Sequence, residues 1–330
     1  MYSIEEHDTR PQHNLALEEY LCRLAERERG NGFFMLWQNE PSIIVGRFQN
    51  TLEEIDPEFV QERGIHVVRR RSGGGAVYHD LGNVNYSFIG PDRGDLSFAL
   101  LTTPILRALA ALGVTTELSG RNDVTIDGKK ISGGAQYRHG GVLLHHGTLL
   151  FDSDLDALSH ALRPQKGKFE SKGVASVRSR VTNIRPHLPP GAQIETARDL
   201  MTMIARHIEG LTPRQLTDDD RAEVRRLMAE KYETWDWNYG ASPPFTERKV
   251  ARFPWGGVEA LIDVAGGVVR GCSFYGDWFG VADHAPLVER IVGVPYAREA
   301  IREALMGLET GEMFSGSSVD DITELLMPDV

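Results

Sequence analysis

Three consecutive arginines run straight into a serine and three consecutive glycines at Arg69-Arg70-Arg71-Ser72-Gly73-Gly74-Gly75, and Ala76-Val77-Tyr78-His79-Asp80 follows. Glycine lets backbone N–H groups approach a ligand closely and adopts positive φ without strain. Arginine adds forked, permanently charged donors that match phosphate or carboxylate. The segment therefore reads as an anion cradle. It also constrains the fold. Val67-Val68 before it and Ala76-Val77-Tyr78 after it are apolar, so the arginines are expected to enter and leave a buried strand pair, where unpaired charge is costly.

A second glycine-rich segment lies about 50 residues on, at Asp127-Gly128-Lys129-Lys130-Ile131-Ser132-Gly133-Gly134-Ala135. Val124–Ile126 and Lys129–Ile131 flank Asp127-Gly128, which reads as a hairpin with a two-residue turn. Alternation puts Lys130 on the face opposite Lys129 and Ile131. A third stretch, Arg163 to Arg185, holds seven basic residues (Arg163, Lys166, Lys168, Lys172, Arg178, Arg180, Arg185) against one acid, Glu170. It has no clear apolar period, so it reads as a basic, mobile loop able to close over phosphates.

Around these lie ordinary elements. Asn14–Arg29 reads as an amphipathic helix with Asn14 as its cap, and Cys22 belongs to its packing. Strands are expected at Phe33–Trp37, Ser42–Gly46, Ile65–Val68, Ala76–Tyr78, Val84–Phe88 and within Gly141–Phe151. In the last, His145 and His146 point to opposite faces, so they cannot share one metal. Helices are expected at Leu96–Leu112, with Pro104 after a Thr103 cap or at a kink, and at Thr196–Ile208 and Asp218–Glu233. Trp235–Gly240 should dock the end of a first domain, and Ala241–Phe245 reads as a linker. A hairpin at Val258–Phe274 and helices to about Leu326 complete the chain.

Several classes are excluded or disfavoured. The net charge of −11 argues against non-specific nucleic-acid binding. Two distant cysteines, Cys22 and Cys272, give no disulfide framework and no zinc spacing. The acidic start lacks a signal-peptide core, and no run approaches a membrane span, so a soluble cytoplasmic protein is expected. Walker A, dinucleotide, serine-elbow and His-Glu-x-x-His patterns are absent. Two glycine-rich loops, several cations and one hairpin lysine suit an acid and a nucleotide joined as a mixed anhydride, because charge builds on the phosphorus oxygens.

Arg70 to Asp80, Asn122-Asp123, Lys129–Gly133, His145–Leu150, Ser176–Asn183 and Asn14–Glu19 closely resemble the lipoate–protein ligase A family, among the biotin/lipoate protein ligases. Trp235-Asp236-Trp237-Asn238 and Trp255–Glu259 extend the resemblance over essentially the whole chain. It implies an α/β (α+β) fold: a mixed-sheet catalytic domain at 1–243 and a small α+β accessory domain at 250–330. It implies an ATP-dependent ligase that makes lipoyl-AMP and pyrophosphate, then passes the acyl group to a lysine of a lipoyl domain. Acceptors of that kind are the lipoyl domains of 2-oxoacid dehydrogenase complexes and the glycine cleavage H protein. Lipoate or octanoate would be the acid. No nucleic-acid or membrane partner is implied.

By family position, Lys130 is catalytic and contacts both the lipoyl carbonyl and the phosphate. Arg70, Gly73, Gly74, Gly75, Ala76, Val77, Tyr78, Asn83, Asn122, Asp123, Arg178 and Arg180 hold ATP or the adenylate. Leu17, Arg70, His79, Lys130, Ser132, Gly133, His146 and Gly147 meet lipoate, with Val77 also on an apolar tunnel. Asp123 is the candidate ligand for Mg²⁺ brought in with ATP. One departure is Gly134-Ala135-Gln136-Tyr137 where the family has Ser-Ala-Tyr. Rival readings are an octanoyl or lipoyl transferase of the same fold, which would need an activated cysteine near Lys130, and a lipoate- or adenylate-binding non-enzyme. A biotin ligase would carry a different arginine–glycine loop.

Overall fold

The computed structural model describes residues 1–94, 97–120, 122–162, 180–239 and 246–327. Its strands in chain order are β1 (Tyr2–Ile4), β2 (Phe33–Trp37), β3 (Ser42–Val45), β4 (His66–Arg69), β5 (Val77–His79), β6 (Asn83–Pro91), β7 (Glu117–Ser119), β8 (Asp123–Ile126), β9 (Lys129–His139), β10 (Val142–Leu150), β11 (Thr212–Pro213), β12 (Glu247–Phe253), β13 (Gly256–Ala265) and β14 (Val268–Gly276). They form an eight-stranded mixed sheet in the order β11-β1-β2-β6-β10-β9-β8-β7, a three-stranded sheet β4-β3-β5, and a separate sheet β12-β13-β14.

The large sheet is apolar on both faces. Helix α1 (Pro11–Glu28) covers one face, where Leu15, Leu17 and Leu21 meet Phe33, Met35, Trp37 and Leu144. The helices Phe98–Ala111 and Ala197–His207 cover the other, where Ile105, Leu109, Leu200 and Ile204 meet Phe34, Leu36, Tyr86 and Leu149. Successive residues of β2 divide between the two cores because side chains alternate along a strand. Each such side chain, once buried, contributes about 1.5–3 kcal/mol.

The chain folds as two compact units. The first contains Met1–Val45, Thr51–Arg70 and Ala76–Asn238; the second contains Tyr239–Val330 together with Gly46–Asn50 and Arg71–Gly75. The second unit has its own core of Phe48, Trp255, Phe274, Trp278 and Phe314 between β12–β14 and short helices.

Local expectations fail where tertiary contacts override sequence signals. Asn14 does not cap α1, which begins three residues earlier at Pro11, after Arg10. Buried instead, Asn14 donates to the carbonyls of Asp8 and Gln38 and to Asn39 Oδ1. The helix Phe98–Ala111 is capped by Ser97 and carries Pro104 inside it. Thr103 does not cap: its hydroxyl turns back onto the Ala99 carbonyl, as interior helical threonines do. The arginines do not join a strand pair, because β3 lies between β4 and β5. Strand β12 escaped notice because its half-exposed positions carry Glu247, Arg248, Lys249 and Arg252.

Candidate active site

In the first unit, the α1 face of the large sheet carries a polar patch inside an otherwise apolar layer. Period-two spacing on β6 puts Asn83, Asn85 and Ser87 on this face. Ser87 lies opposite His146 of β10, and Asn85 lies opposite Trp37 of β2 and Thr148 of β10. Glu18 reaches down from α1 and is 2% exposed. Its Oε1 accepts from Ser87 Oγ at 2.7 Å and faces His146 Nδ1 at 2.8 Å. Trp37 Nε1 donates to Ser87 Oγ at 2.9 Å. A polar group this deeply buried needs hydrogen-bond partners, and Oε1 has two of them here.

Arg70 follows β4 and is buried, with its guanidinium donating to the Ile44 carbonyl at 3.0 Å. Burial pulls it down to about 10, against the opposing pull of the Glu18 charge. It remains a cation at neutral pH. Its neighbour Arg69 has a structural task. The Arg69 N–H donates to Asn238 Oδ1 at 3.0 Å, and its guanidinium donates to the carbonyls of Trp237 and Asn238 and to Thr51 Oγ1. Thus Trp235–Asn238 holds the strand end from which Arg70 projects.

His79, on β5, is 3% exposed, and burial drives it down to about 3, with the charges of Arg70 and His146 acting in the same direction. It is therefore a neutral imidazole. Asn39 accepts from Asn14 through its oxygen, so its amide nitrogen, 3.0 Å from His79 Nδ1, is the donor there. The His79 proton then sits on Nε2, which has no partner among the described residues.

The Lys130 hairpin forms as read. Asp127 (φ 50) and Gly128 (φ 73) take the left-handed conformations of a two-residue turn. Lys130 Nζ lies 2.8 Å from Asp123 Oδ1, with both side chains partly exposed. A Cβ on Gly133 would come within 2.9 Å of that amine, so glycine opens the space it occupies. The Lys130 N–H donates to the Arg180 carbonyl at 2.8 Å, and the Thr182 N–H donates to the Lys130 carbonyl at 3.0 Å. The end of the basic stretch is thereby spliced beside the lysine. Arg178 and the rest of 163–179, read as a mobile loop, lie outside the described residues.

The structure brings Arg70, Val77, His79 and His146 to the α1 face with Leu17, which is fully buried in that core. Asn83 shares that face, and its amide donates to Asn85 Oδ1. Asn122 exchanges hydrogen bonds with the Gly134 backbone, fixing the strand beside Asp123. Ser132 and Gly147 do not join this group. Ser132 pairs with Val124 and lies near Tyr86, and a Cβ on Gly147 would lie 2.3 Å from the Tyr86 hydroxyl, so both belong to the opposite face. Tyr78 points away from Val77 and His79, near Asp80 and Asp154, and burial pushes its hydroxyl up to about 12. His145, also on the opposite face, is driven to about 3 by burial beside Thr102 and Gln136.

Within the second unit, the three glycines differ. A Cβ on Gly73 would lie 2.4 Å from the Trp278 carbonyl, and Gly74 takes φ 91 and donates its N–H to that carbonyl at 2.7 Å. Gly75 is exposed, and a Cβ there would meet nothing within 4 Å among the described residues. Ala76, which follows in the first unit, is half-buried.

Sequence reasoning gave no role to Glu18, Ser87 or Asn85. The spacing 83, 85, 87 and a lone pair of acids within the apolar run of α1 were the available signals.

The Lipoyl protein ligase A/B catalytic domain family matches residues 10–205, and the Bacterial lipoate protein ligase C-terminus family matches 242–326. The chain belongs to the lipoate–protein ligase family. It is 42% identical to lipoate-protein ligase LplJ of Bacillus subtilis over 96% of each chain. Among solved structures it resembles P. falciparum LipL1 in complex with lipoate (TM-score 0.82, 23% identity, 99% of each chain). It also resembles a lipoate-protein ligase A bound with ATP (TM-score 0.62, 26% identity, 72% of this chain and 98% of the other). The fold is that of the ligases, and the activity is that of an ATP-dependent lipoate–protein ligase. Among the described residues, no helix is long and apolar enough to cross a membrane.

Proposed function

We propose that the α1-face patch and the Lys130 hairpin together carry the adenylation of lipoate, with residues 1–243 as the catalytic part and 250–330 as its accessory. The observation that supports this reading is Lys130 Nζ over Gly133, spliced by backbone hydrogen bonds to the basic stretch that follows it. Lipoate lies on the α1 face, with its apolar tail against Leu17 and Val77, and His79 and His146 bordering it. Arg70 neutralises carboxylate or phosphate from a fixed, buried position. Attack of the lipoate carboxylate on the α-phosphate of ATP forms the acyl–phosphate bond and expels pyrophosphate. Charge accumulates on the phosphorus oxygens, and Lys130 meets it as a point charge without forming a bond.

Gly75, Ala76 and the Val77–Tyr78 backbone lie along the nucleotide, with Gly73 and Gly74 shaping the loop. Asn83, Asn122, Arg178 and Arg180 complete the polar contacts, and Ser132, Gly133 and Gly147 support the acyl end through the strands that carry them. Among the described residues no three metal-binding side chains gather. Asp123, partly exposed beside Lys130, would offer a carboxylate to Mg²⁺ entering with ATP, and the ion would offset phosphate charge. In the second step the ε-amine of an acceptor lysine, on a lipoyl domain or H protein, attacks the acyl carbon and AMP leaves. The transferase alternative would need a thiolate at the site. Cys22 and Cys272 are both buried, and burial pushes Cys272 up to about 12.

The test is lipoate-dependent exchange of labelled pyrophosphate into ATP. Wild type exchanges and Lys130→Ala does not, while its circular dichroism stays unchanged. Full exchange by Lys130→Ala would remove the lysine from this role.

A further inference from the structure

The polar strip on β6 has a loose end. Asn83 and Asn85 are 0% and 1% exposed, and the Asn83 amide nitrogen donates to Asn85 Oδ1 at 2.9 Å. The Asn85 amide nitrogen and the Asn83 side-chain oxygen then have no partner among the described residues. A buried donor left unmade costs about 1–3 kcal/mol, so such a group persists where a water or a ligand completes it, and its position decides between them.

Its place in the sheet says which part of a ligand that is. Asn85 shares its face with Trp37 on one neighbouring strand and Thr148 on the other. Beyond Thr148 is Gly133, whose N–H donates to Thr148 Oγ1 and over which Lys130 Nζ lies. Strands stand about 4.8 Å apart, so the lysine hairpin is roughly 10 Å to one side. On the other side, Trp37 packs edge-on against His79, whose Nε2 is also unpartnered. Asn85 thus occupies the middle of a line from the phosphate-facing lysine to the acyl-facing histidine.

We propose that Asn85 is a substrate-contacting residue whose side-chain amide donates a hydrogen bond to an oxygen of the carboxyl–phosphate junction, acting beside Lys130 in adenylation. This rests on the reading of Lys130 given above. The donor is neutral and fixed by Asn83, so it adds stabilisation without adding charge to a site that already holds Arg70 and Lys130.

The experiment uses the full chain and pyrophosphate exchange. Asn85→Asp keeps the volume and keeps an oxygen to accept from Asn83, replacing only the free donor. A purely structural Asn85 therefore predicts near-normal exchange, whereas a substrate donor predicts a fall of about 100-fold in kcat with KM for ATP unchanged. Asn85→Ala is run beside it, since the new carboxylate is buried, and melting curves identify which variants fold. Wild type labelled with ¹⁵N-asparagine supplies a reading that needs no variant. On binding a non-hydrolysable lipoyl-adenylate analogue, the Asn85 amide resonance shifts and its protons exchange more slowly with water. A folded variant that keeps wild-type kcat, or an Asn85 resonance untouched by the analogue, overturns the proposal. A wild type that shows no lipoate-dependent exchange overturns the ligase reading and this inference with it. Exchange that needs Lys130 but ignores Asn85 sinks the inference alone.

Discussion

Lys130 stands paired with Asp123 at 2.8 Å in a partly exposed position. An ion pair of that kind contributes only about 0–1 kcal/mol to stability. Its value lies in aim, since a flexible lysine stem is directed over Gly133. Asp123→Asn should therefore leave the melting temperature nearly unchanged and lower pyrophosphate exchange by about 10-fold, a rise of roughly 1.4 kcal/mol in barrier height. Equal losses of stability and rate would reassign Asp123 to the fold. The hairpin that carries the lysine was legible, because Asp-Gly between two short strand-like runs fixes the turn locally, whereas the lysine's role came from the family resemblance. Asn85 was not, because only the pairing of β6 with β2 and β10 reveals that its donor is left over.

At the scale of the element, the glycine loop divides into two kinds of glycine. Gly73 is required by the fold, since a Cβ would press on the Trp278 carbonyl. Gly75 has open space around it among the described residues, so a methyl group there meets no obstacle from the fold. Gly73→Ala should destabilise the protein by about 1–3 kcal/mol, read as a lower melting temperature. Gly75→Ala should leave melting unchanged and raise KM for ATP. The reverse pattern would exchange their roles. Composition alone drew attention to the glycine loop but could not separate these parts, since Trp278 is some 200 residues away in sequence. Period and turn chemistry located most strands and helices, and the order β4-β3-β5 was beyond reach because a parallel pairing leaves no local mark. Asn14 misled because distant partners decide its place: a good cap in isolation is worth less than three hydrogen bonds, two of them buried.

For the molecule as a whole, burial of two neutral histidines sets an acid limit. His79 and His145 both titrate near 3 in the fold, against about 6.5 unfolded. Below pH 6.5 the unfolded chain binds protons that the folded chain refuses, so stability falls as pH falls. Between pH 7 and 5 the loss is about 2 kcal/mol for each histidine. Denaturant unfolding across that range checks it, and His145→Gln should flatten the slope, the remainder coming from His79 and from His13 and His284, which burial also lowers. An unaltered slope would mean that other groups dominate. The chain passes between its two units five times, with Gly46–Asn50 and Arg71–Gly75 lodged in the second. A gene crossover placed after Asn238 would hence bring in a foreign C-terminal partner while the two segments packed with it stayed behind. Their codons lie far from that border, so a C-terminal part exchanged there would meet two segments that did not come with it.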